Sequence, residues 1–510
     1  MNIKDFVGPL LLAVGMTILF RSFWGWYKGP EINVGFVAPL SKVEQEPLYL
    51  EVDFEDDEKK VKEETVKVST DYATFIFSNH GAVLSNLELI REMNGTKQTF
   101  TTLGQPPALE REMGAFLVAL DEKTPYYYTL KEHIDDKDVI KVVYQVKGDN
   151  ATVEKTFTIH KDRNEVELSL TVKPHGNQVI RSRIVFPSPF LEAIESEEQV
   201  NAISVDKSGS FIKTPEKKLN ARAGFFAPEL FGSENKYFIH SMVKDPDKFT
   251  KRAYYKSIDR RLLSFLEANP VDKETTWNLS FYVGPKSVAS ITPVSSTLDG
   301  ALEYGFFSPI AKLMLYLLNL CNKYVHNYGF AIILITLLLK LLLLPFTFSG
   351  QQKMKKMQEY QKKLAYIQQR FKNDSEGLNH AREELIKKHG LPGMGGCLPL
   401  FLQIPFFVGL YSSLNNSIEL YRAPFIFWIK DLSIPDPYYV LPFLIAVSAF
   451  LGSVAGQDSK GDFKQVFTAF AISLFLGAWT ASMAAGLGLF IFANAFLHFV
   501  QTKGQQALGL

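Results

Sequence analysis

Gly329 to Thr347 reads GFAIILITLLLKLLLLPFT, an apolar run with Thr336 and Lys340 as the polar residues of its interior. Its length approaches the roughly 20 residues that cross the hydrocarbon of a bilayer. A basic insert follows at once, where Lys353, Lys355, Lys356, Lys362, Lys363, Arg370, Lys372, Arg382, Lys387 and Lys388 crowd together. Positive charge flanking a span stays in the cytoplasm, so the run reads as a membrane helix whose C-terminal end faces inward.

Further runs lie outward from it. Gly396 to Ser417, Tyr438 to Gly456, Gln465 to Met483 and Gly486 to Val500 are apolar and near the spanning length. Phe6 to Phe20, with Arg21 to snorkel and Phe23, Trp24, Trp26 and Tyr27 to sit at the interface, reads as an anchor over residues 1–28. A cleavable signal peptide competes with this reading; no small-x-small cleavage site follows the run, which favours the anchor. Phe306 to His326 is long enough to span. However, Ile310, Leu313, Met314, Leu317, Cys321 and Tyr324 recur at helical spacing opposite Lys312, Tyr316, Asn319 and Lys323. A span here would also export the basic insert. It reads instead as an amphipathic helix in the outer interface, within a linker over residues 287–328.

Between anchor and linker the composition is that of a soluble protein. Residues 29–65 mix Pro, Glu, Asp and Lys with few large apolar side chains and read as a flexible tether. Over residues 66–286 the period becomes two. Val166, Leu168, Leu170 and Val172 alternate with Glu167, Ser169 and Thr171, while Phe157 and Ile159 do the same before the turn Lys161 to Asn164. Trp277, Leu279, Phe281 and Val283 repeat the pattern, which predicts a large, mostly antiparallel β-sandwich. The fold class is α+β: anchor, outer β-domain, then a helical membrane core over residues 329–510.

Several function classes fall away. The 510 residues carry 55 Lys+Arg against 54 Asp+Glu, which excludes a globally basic nucleic-acid binder. Cys321 and Cys397 fall near opposite membrane faces and form no disulfide framework. No GxxxxGK[ST] motif appears, and His80, His160 and His240 form no recognisable acid-base or metal spacing. A Ser-Lys hydrolase built from Lys340 with Ser473 or Ser482 is conceivable but has no supporting motif. An ion transporter lacks intramembrane carboxylates.

Lys340 carries the most information. A mid-membrane charge costs about 2.5–3.5 kcal/mol on insertion scales, and the spans contain no Asp or Glu to pair with it. Water, backbone carbonyls, lipid phosphate or a passing substrate remain as partners. One reading has the ammonium snorkel along the roughly 10 Å to the cytoplasmic end. The other joins Lys340 and Thr336 to Gln403 and Asn494 of later spans in one hydrated, positively charged recess; each amide could equally be satisfied by an ordinary interhelical hydrogen bond. Pro345, Pro405 and Pro442 each free a carbonyl one turn earlier. Within the insert, residues 349–393, the spacing of Met357, Tyr360, Leu364, Ile367 and Phe371, a turn at Asn373 to Gly377, and Leu378, Ala381 and Leu385 predict a helical hairpin.

Leu391 to Pro399 (LPGMGGCLP), Gln403-Ile404-Pro405, Ser417 to Leu420, Ala423-Pro424-Phe425, Asp431-Leu432 and Asp436 to Tyr439 follow in an order that resembles the signature run of the YidC insertases. Ser78 to Ala82 and Phe281 to Lys286 are similar to the ends of that family's periplasmic domain. The resemblance implies a periplasmic β-supersandwich and a five-helix core with a hydrophilic groove. It implies an insertase and chaperone of the inner membrane, with the N-terminus cytoplasmic. Clients would be nascent membrane proteins, and partners the Sec translocon, a ribosome or targeting factors, and lipid. No cofactor, metal, direct nucleic-acid contact or enzymatic step is implied. Lys340 stands where the family usually has Arg, and a Lys lacks the guanidinium fork for bidentate capture of a carboxylate. Phe490 and Ile491 stand where many relatives carry groove hydroxyls, so contact there would be apolar. Lys355, Lys356, Lys362, Lys363, Lys387 and Lys388 are the hairpin contacts. The end of the chain, Gln501 to Leu510, is short with Lys503 its charge, and no ribosome-binding tail is expected.

Overall fold

The alternation around Lys161 to Asn164 folds as a hairpin. Strand Ala151–His160 pairs antiparallel with Glu165–Pro174, placing Phe157 opposite Leu168 and Ile159 opposite Val166. Strand Thr275–Pro285 adds to the other side, with Trp277 opposite Leu170 and Phe281 opposite Val166. The rows meet on one buried face, as period-two spacing requires. In this computed structural model the described residues are 48, 51–55, 61–93, 96–103, 111–121, 123–190, 200–206, 208–219, 224–258, 261–302, 304, 307–371, 375–389, 398–455 and 463–507. They divide into a compact unit within Lys28–Glu303 with Asn416–Ile418 and a second within Tyr304–Asn415 and Glu419–Leu510.

The first unit is built mainly of β-strands. A nine-stranded sheet runs, in spatial order, Phe211–Pro215, Asn201–Val205, Leu230–Glu234, Phe238–Lys244, Thr275–Pro285, Glu165–Pro174, Ala151–His160, Val139–Lys147 and Thr129–Asp135. A five-stranded sheet (Phe225–Phe226, Arg252–Ile258, Arg261–Glu267, Ser182–Pro187, Leu117–Leu120) and a four-stranded one (Thr65–Ser69, Ala73–Ser78, Val83–Met93, Thr96–Leu103) cover it. Every named strand pair is antiparallel. Aromatic rings join the layers: Phe77 meets Phe157 at 4.8 Å, and Phe281 meets Phe116 at 4.8 Å and Phe186 at 5.3 Å.

One member of the apolar row on Ala151–His160 is a lysine. Lys155 is fully buried, and its Nζ donates to the carbonyls of Gly81 (2.6 Å), Ala82 (3.1 Å) and Phe116 (2.9 Å), 4.9 Å from the Tyr128 ring centre. All three acceptor residues have positive φ. The ammonium therefore gathers carbonyls that no strand ladder uses. Burial pushes its pKa well below the ordinary lysine value.

Both flanks of this domain depart from expectation. Residues 51–55 and 61–64 of the expected tether are docked. Phe54 bridges Thr124, Glu55 N donates to Thr124 O at 3.0 Å, and Glu64 and Asn79 exchange hydrogen bonds. Leu48 and Phe54 pack against a cluster that includes Leu117, Val185 and Phe265. The average composition of the tether hid this handful of large apolar residues. Likewise, the first half of the expected linker belongs to the β-domain core: Ile291, Val294, Leu298 and Ala301 bury against Ile203, Leu230, Ile239 and Tyr282.

The second unit is helical: α1 (Ser308–Val325), α2 (Tyr328–Arg370), α3 (Ser375–His389), α4 (Leu398–Asn416), α5 (Val440–Ala455), α6 (Phe463–Thr480) and α7 (Ala485–Ala507). Helix α1 occupies the expected place with its buried face rotated. Ala311, Met314, Leu315, Leu318 and Cys321 are buried, whereas Leu313 and Tyr324 of the expected apolar face are exposed. With aromatic and aliphatic residues on both sides, spacing alone could not decide which side packs on protein. Helix α2 is continuous for 43 residues, passing Pro345 and carrying the basic insert, so the first arm of the hairpin is an extension of the span. Tyr360 of α2 and Leu385 of α3 are buried where the two arms meet. Helix α7 continues seven residues beyond the expected end at Val500.

Tyr328–Phe348 and Ala485–Ala507 are long and apolar enough to cross a membrane, while Val440–Ala455 and Gln465–Thr480 are shorter apolar helices. The anchor, residues 1–28, and most of the tether lie outside the described residues, as do residues 391–397 of the signature run with Cys397.

Candidate functional site

Helix α2 has two unlike faces. Ala331, Ile332, Ile335 and Thr336 are buried, whereas Leu337, Leu338, Leu341 and Leu342 are exposed. Ile332, Thr336 and Lys340 follow at four-residue steps, so Lys340 extends the packed row and not the leucine face. Thr336 is 2% exposed and its hydroxyl donates to the carbonyl of Ile332 at 2.6 Å, closing its hydrogen bonding within the helix. Lys340 is half-buried and, among the described residues, has no hydrogen-bond or ion-pair partner. Its ammonium is not one of the sealed polar atoms of the protein either.

Helix α7 lies against α2, and Ile332 of the packed row approaches Gly486 of α7. On α7, Phe490, Asn494 and His498 again follow at four-residue steps. Gln403 of α4 donates through Nε2 to Asn494 Oδ1 at 3.2 Å. One turn away on each helix, the rings of Phe407 and Phe490 stand 5.4 Å apart. Phe490 and its neighbour Ile491 are buried. The structure thus brings Gln403 and Asn494 together as an amide pair, with Phe490 beneath it and Thr336 and Lys340 on the adjoining helix.

His498 was not singled out by residue type, although its four-residue step from Asn494 points to it. It lies within electrostatic range of Lys340. Its ring lies against Gly452 of α5, where a Cβ would meet His498 Cδ2 at 3.5 Å, an ordinary contact. Two basic groups from different helices therefore share one region, and neither has a carboxylate partner among the described residues.

Lys355, Lys356, Lys362 and Lys363 lie on the extension of α2 and Lys387 and Lys388 on α3. Lys363 is exposed; the side chains of the other five lie outside the described residues.

In the β-domain the fold gathers His160, Glu165 and Glu167 with their ligand atoms within 4.8 Å of one another. Burial would raise the Glu165 carboxyl, but hydrogen bonds from Lys244 (2.9 Å) and Arg163 (2.6 Å) outweigh it and hold the pKa below the usual range. His160 pairs with Glu167 at 3.0 Å. The cations already present neutralise the cluster, which makes it an ion-pair network across a hairpin turn. His80 and His240 lie elsewhere, His80 beside Tyr126 and Tyr127 and His240 in the core.

The family description "YidC periplasmic domain" matches residues 65–317 and "60Kd inner membrane protein" matches residues 320–506. A membrane protein insertase YidC of Citrifermentans bemidjiense is 31% identical over 414 residues, covering 76% of this chain and 75% of the relative. One from Geobacter metallireducens is 28% identical over 468 residues, 87% and 85% of the two chains. One from Campylobacter jejuni is 36% identical over 220 residues, 43% and 42%. Among solved structures, one described as an active YidC insertase with its first transmembrane domain resolved covers 88% of this chain and 94% of its own, with 14% identity and a TM-score of 0.38. By the match to both family domains and the extent of that identity, this chain belongs to the YidC family of membrane protein insertases.

Proposed function

We propose that this protein inserts integral membrane proteins into the inner membrane, working without nucleotide, metal or covalent catalysis. The observation that carries the reading is the place of Lys340 on the packed row of α2, within electrostatic range of His498 of α7, the helix whose Asn494 pairs with Gln403, with no anionic partner among the described residues. A polar client tail that crosses hydrocarbon meets a desolvation barrier of several kcal/mol per charge. A wet, positively charged recess that reaches partway through the bilayer shortens the dry path and offers acidic tail residues a counter-charge. The apolar segment then leaves sideways into lipid, driven by hydrophobic partitioning and the membrane potential.

In this reading α2, α4, α5, α6 and α7 form the five-helix core, and residues 1–28 add a sixth span. The N-terminus is cytoplasmic and the β-domain periplasmic, because the basic hairpin of α2 and α3 stays in the cytoplasm. That hairpin receives a ribosome or targeting factor, or touches anionic lipid, and the protein works alone or with the Sec translocon.

The test compares Lys340→Arg with Lys340→Glu in cells depleted of the native protein, reading insertion of clients with acidic and with neutral tails. Arg should preserve insertion, and Glu should impair acidic-tailed clients several-fold more than neutral ones. Wild-type insertion by both variants would remove the charge from the mechanism.

A further inference from the structure

Between α4 and α5 the chain makes a loop that is held rigidly from within. Asp431 Oδ1 accepts from Arg422 N (3.1 Å), Ser433 N (2.8 Å) and Ser433 Oγ (2.7 Å). Asp436 accepts from Trp428 Nε1 (3.0 Å), Tyr438 N (3.0 Å) and Leu441 N (2.7 Å). Gly486 N donates to Leu432 O at 2.8 Å, tying the loop to the start of α7. Asp431 and Asp436 are thus spent on internal structure.

The rigid loop displays aromatic residues outward. Ile429 N donates to Ile426 O at 3.1 Å, closing a tight turn with Phe427 and Trp428 at its centre. Phe427 has φ +53°, a conformation that turns of this kind reserve for Gly, Asn or Asp. The residue is 84% exposed, and its ring stacks on Trp428 at 6.0 Å. Tyr439 repeats the anomaly, with φ +56° and an exposed side chain. A bulky residue in a strained backbone, with its apolar ring outside the protein, gains nothing from folding alone. Tyr439 leads into Phe443, Val447 and Leu451, which are exposed at four-residue steps down α5. The aromatic display is therefore continuous with the face that α5 would turn to lipid.

We infer that this loop seats Phe427, with Tyr438 and Tyr439, in the headgroup region of the lipid bilayer, at the face opposite the basic hairpin. The inference rests on the reading of α5 as a membrane span. Irregular backbone is excluded from hydrocarbon but is at home in the interface, where aromatic side chains concentrate. The loop then fixes the depth and tilt of α4, α5 and α7 together, because it is hydrogen-bonded to the first turn of α7 and joins the other two.

The experiment uses the full chain, with both native cysteines replaced by alanine, in phospholipid vesicles. An environment-sensitive fluorophore is attached at Phe427→Cys or, separately, at Tyr438→Cys. Leu451→Cys reports on the span and Ser208→Cys, in an exposed loop of the β-domain, on water. Labels at 427 and 438 should be quenched roughly twofold more by a nitroxide near the lipid carbonyls than by one near the acyl-chain ends, and several-fold less by aqueous iodide than the label at 208. The label at 451 should favour the deep nitroxide. Iodide quenching at 427 and 438 equal to that at 208, with 451 in lipid, would overturn the interfacial seat and leave the span standing. Protection from both iodide and lipid nitroxides would overturn it in favour of a second copy of the chain. Free iodide access at 451 would overturn the span reading itself, and this inference with it.

Discussion

Gln403 on α4 and Asn494 on α7 satisfy one another across a helix interface, Nε2 to Oδ1 at 3.2 Å. Interhelical hydrogen bonds of this kind contribute about 0.6 kcal/mol on average, because groups freed in a membrane find other partners. Gln403→Leu and Asn494→Leu should therefore each lower the unfolding free energy in micelles or bicelles by roughly 0.5–1.5 kcal/mol, with a coupling near 0.6 kcal/mol in a double-mutant cycle. A coupling of zero would mean that water, not the partner amide, satisfies each group.

Lys155 should behave as a structural pin. Lys155→Met keeps the length of the side chain but strands the carbonyls of Gly81, Ala82 and Phe116, a loss of about 3–5 kcal/mol from the β-domain. Hydrogen exchange should show the loosening first at residues 78–84 and 115–117. Unchanged protection there would mean that packing alone holds those backbones.

His240 should make the β-domain sensitive to acid. It is buried, and burial lowers its pKa to about 4 against the single backbone hydrogen bond it makes to Pro187 O. The unfolded chain then binds more protons than the folded one between about pH 4 and 6.5, so stability falls as pH drops through that window, by up to about 3 kcal/mol. Thermal unfolding of the β-domain followed from pH 7 to 4 should show the fall, and His240→Asn should flatten it. An unaltered slope in the variant would assign the acid sensitivity to other groups.

Gly329 at the start of α2 should tolerate no side chain. A Cβ there would overlap the Phe425 ring, while Asn327 Oδ1 caps the helix at Gly329 N (2.9 Å) and its Nδ2 donates to Phe425 O (3.2 Å). Gly329→Ala should destabilise the helical unit by about 1–3 kcal/mol, read as a lower midpoint of thermal unfolding in detergent. Phe425→Leu should relieve the variant in part.

The period-two rows around Phe157, Leu168 and Phe281 announced the β-domain before any coordinates. They did so because alternation follows directly from backbone geometry. The same pattern passed over Lys155: a lysine in an apolar row is ambiguous until the loops that bring it three carbonyls are folded. In the apolar helices, residue type alone drew attention to Lys340, Thr336, Gln403 and Asn494, since polar groups there are costly wherever they point. It did not single out His498, which acquires its place from helix phase.

Local chemistry therefore determined the alternation of the strands, the apolar character of the helices and the charge bias of the hairpin, all of which depend on neighbours a few residues apart. Tertiary structure decided which face of α1 is buried and that α2 runs unbroken past Pro345. It decided too that Gln403 meets Asn494, and that residues 51–55 and 287–302 join the β-domain. These outcomes depend on contacts between distant segments, where burial and hydrogen bonding select among arrangements that local spacing leaves equal in energy.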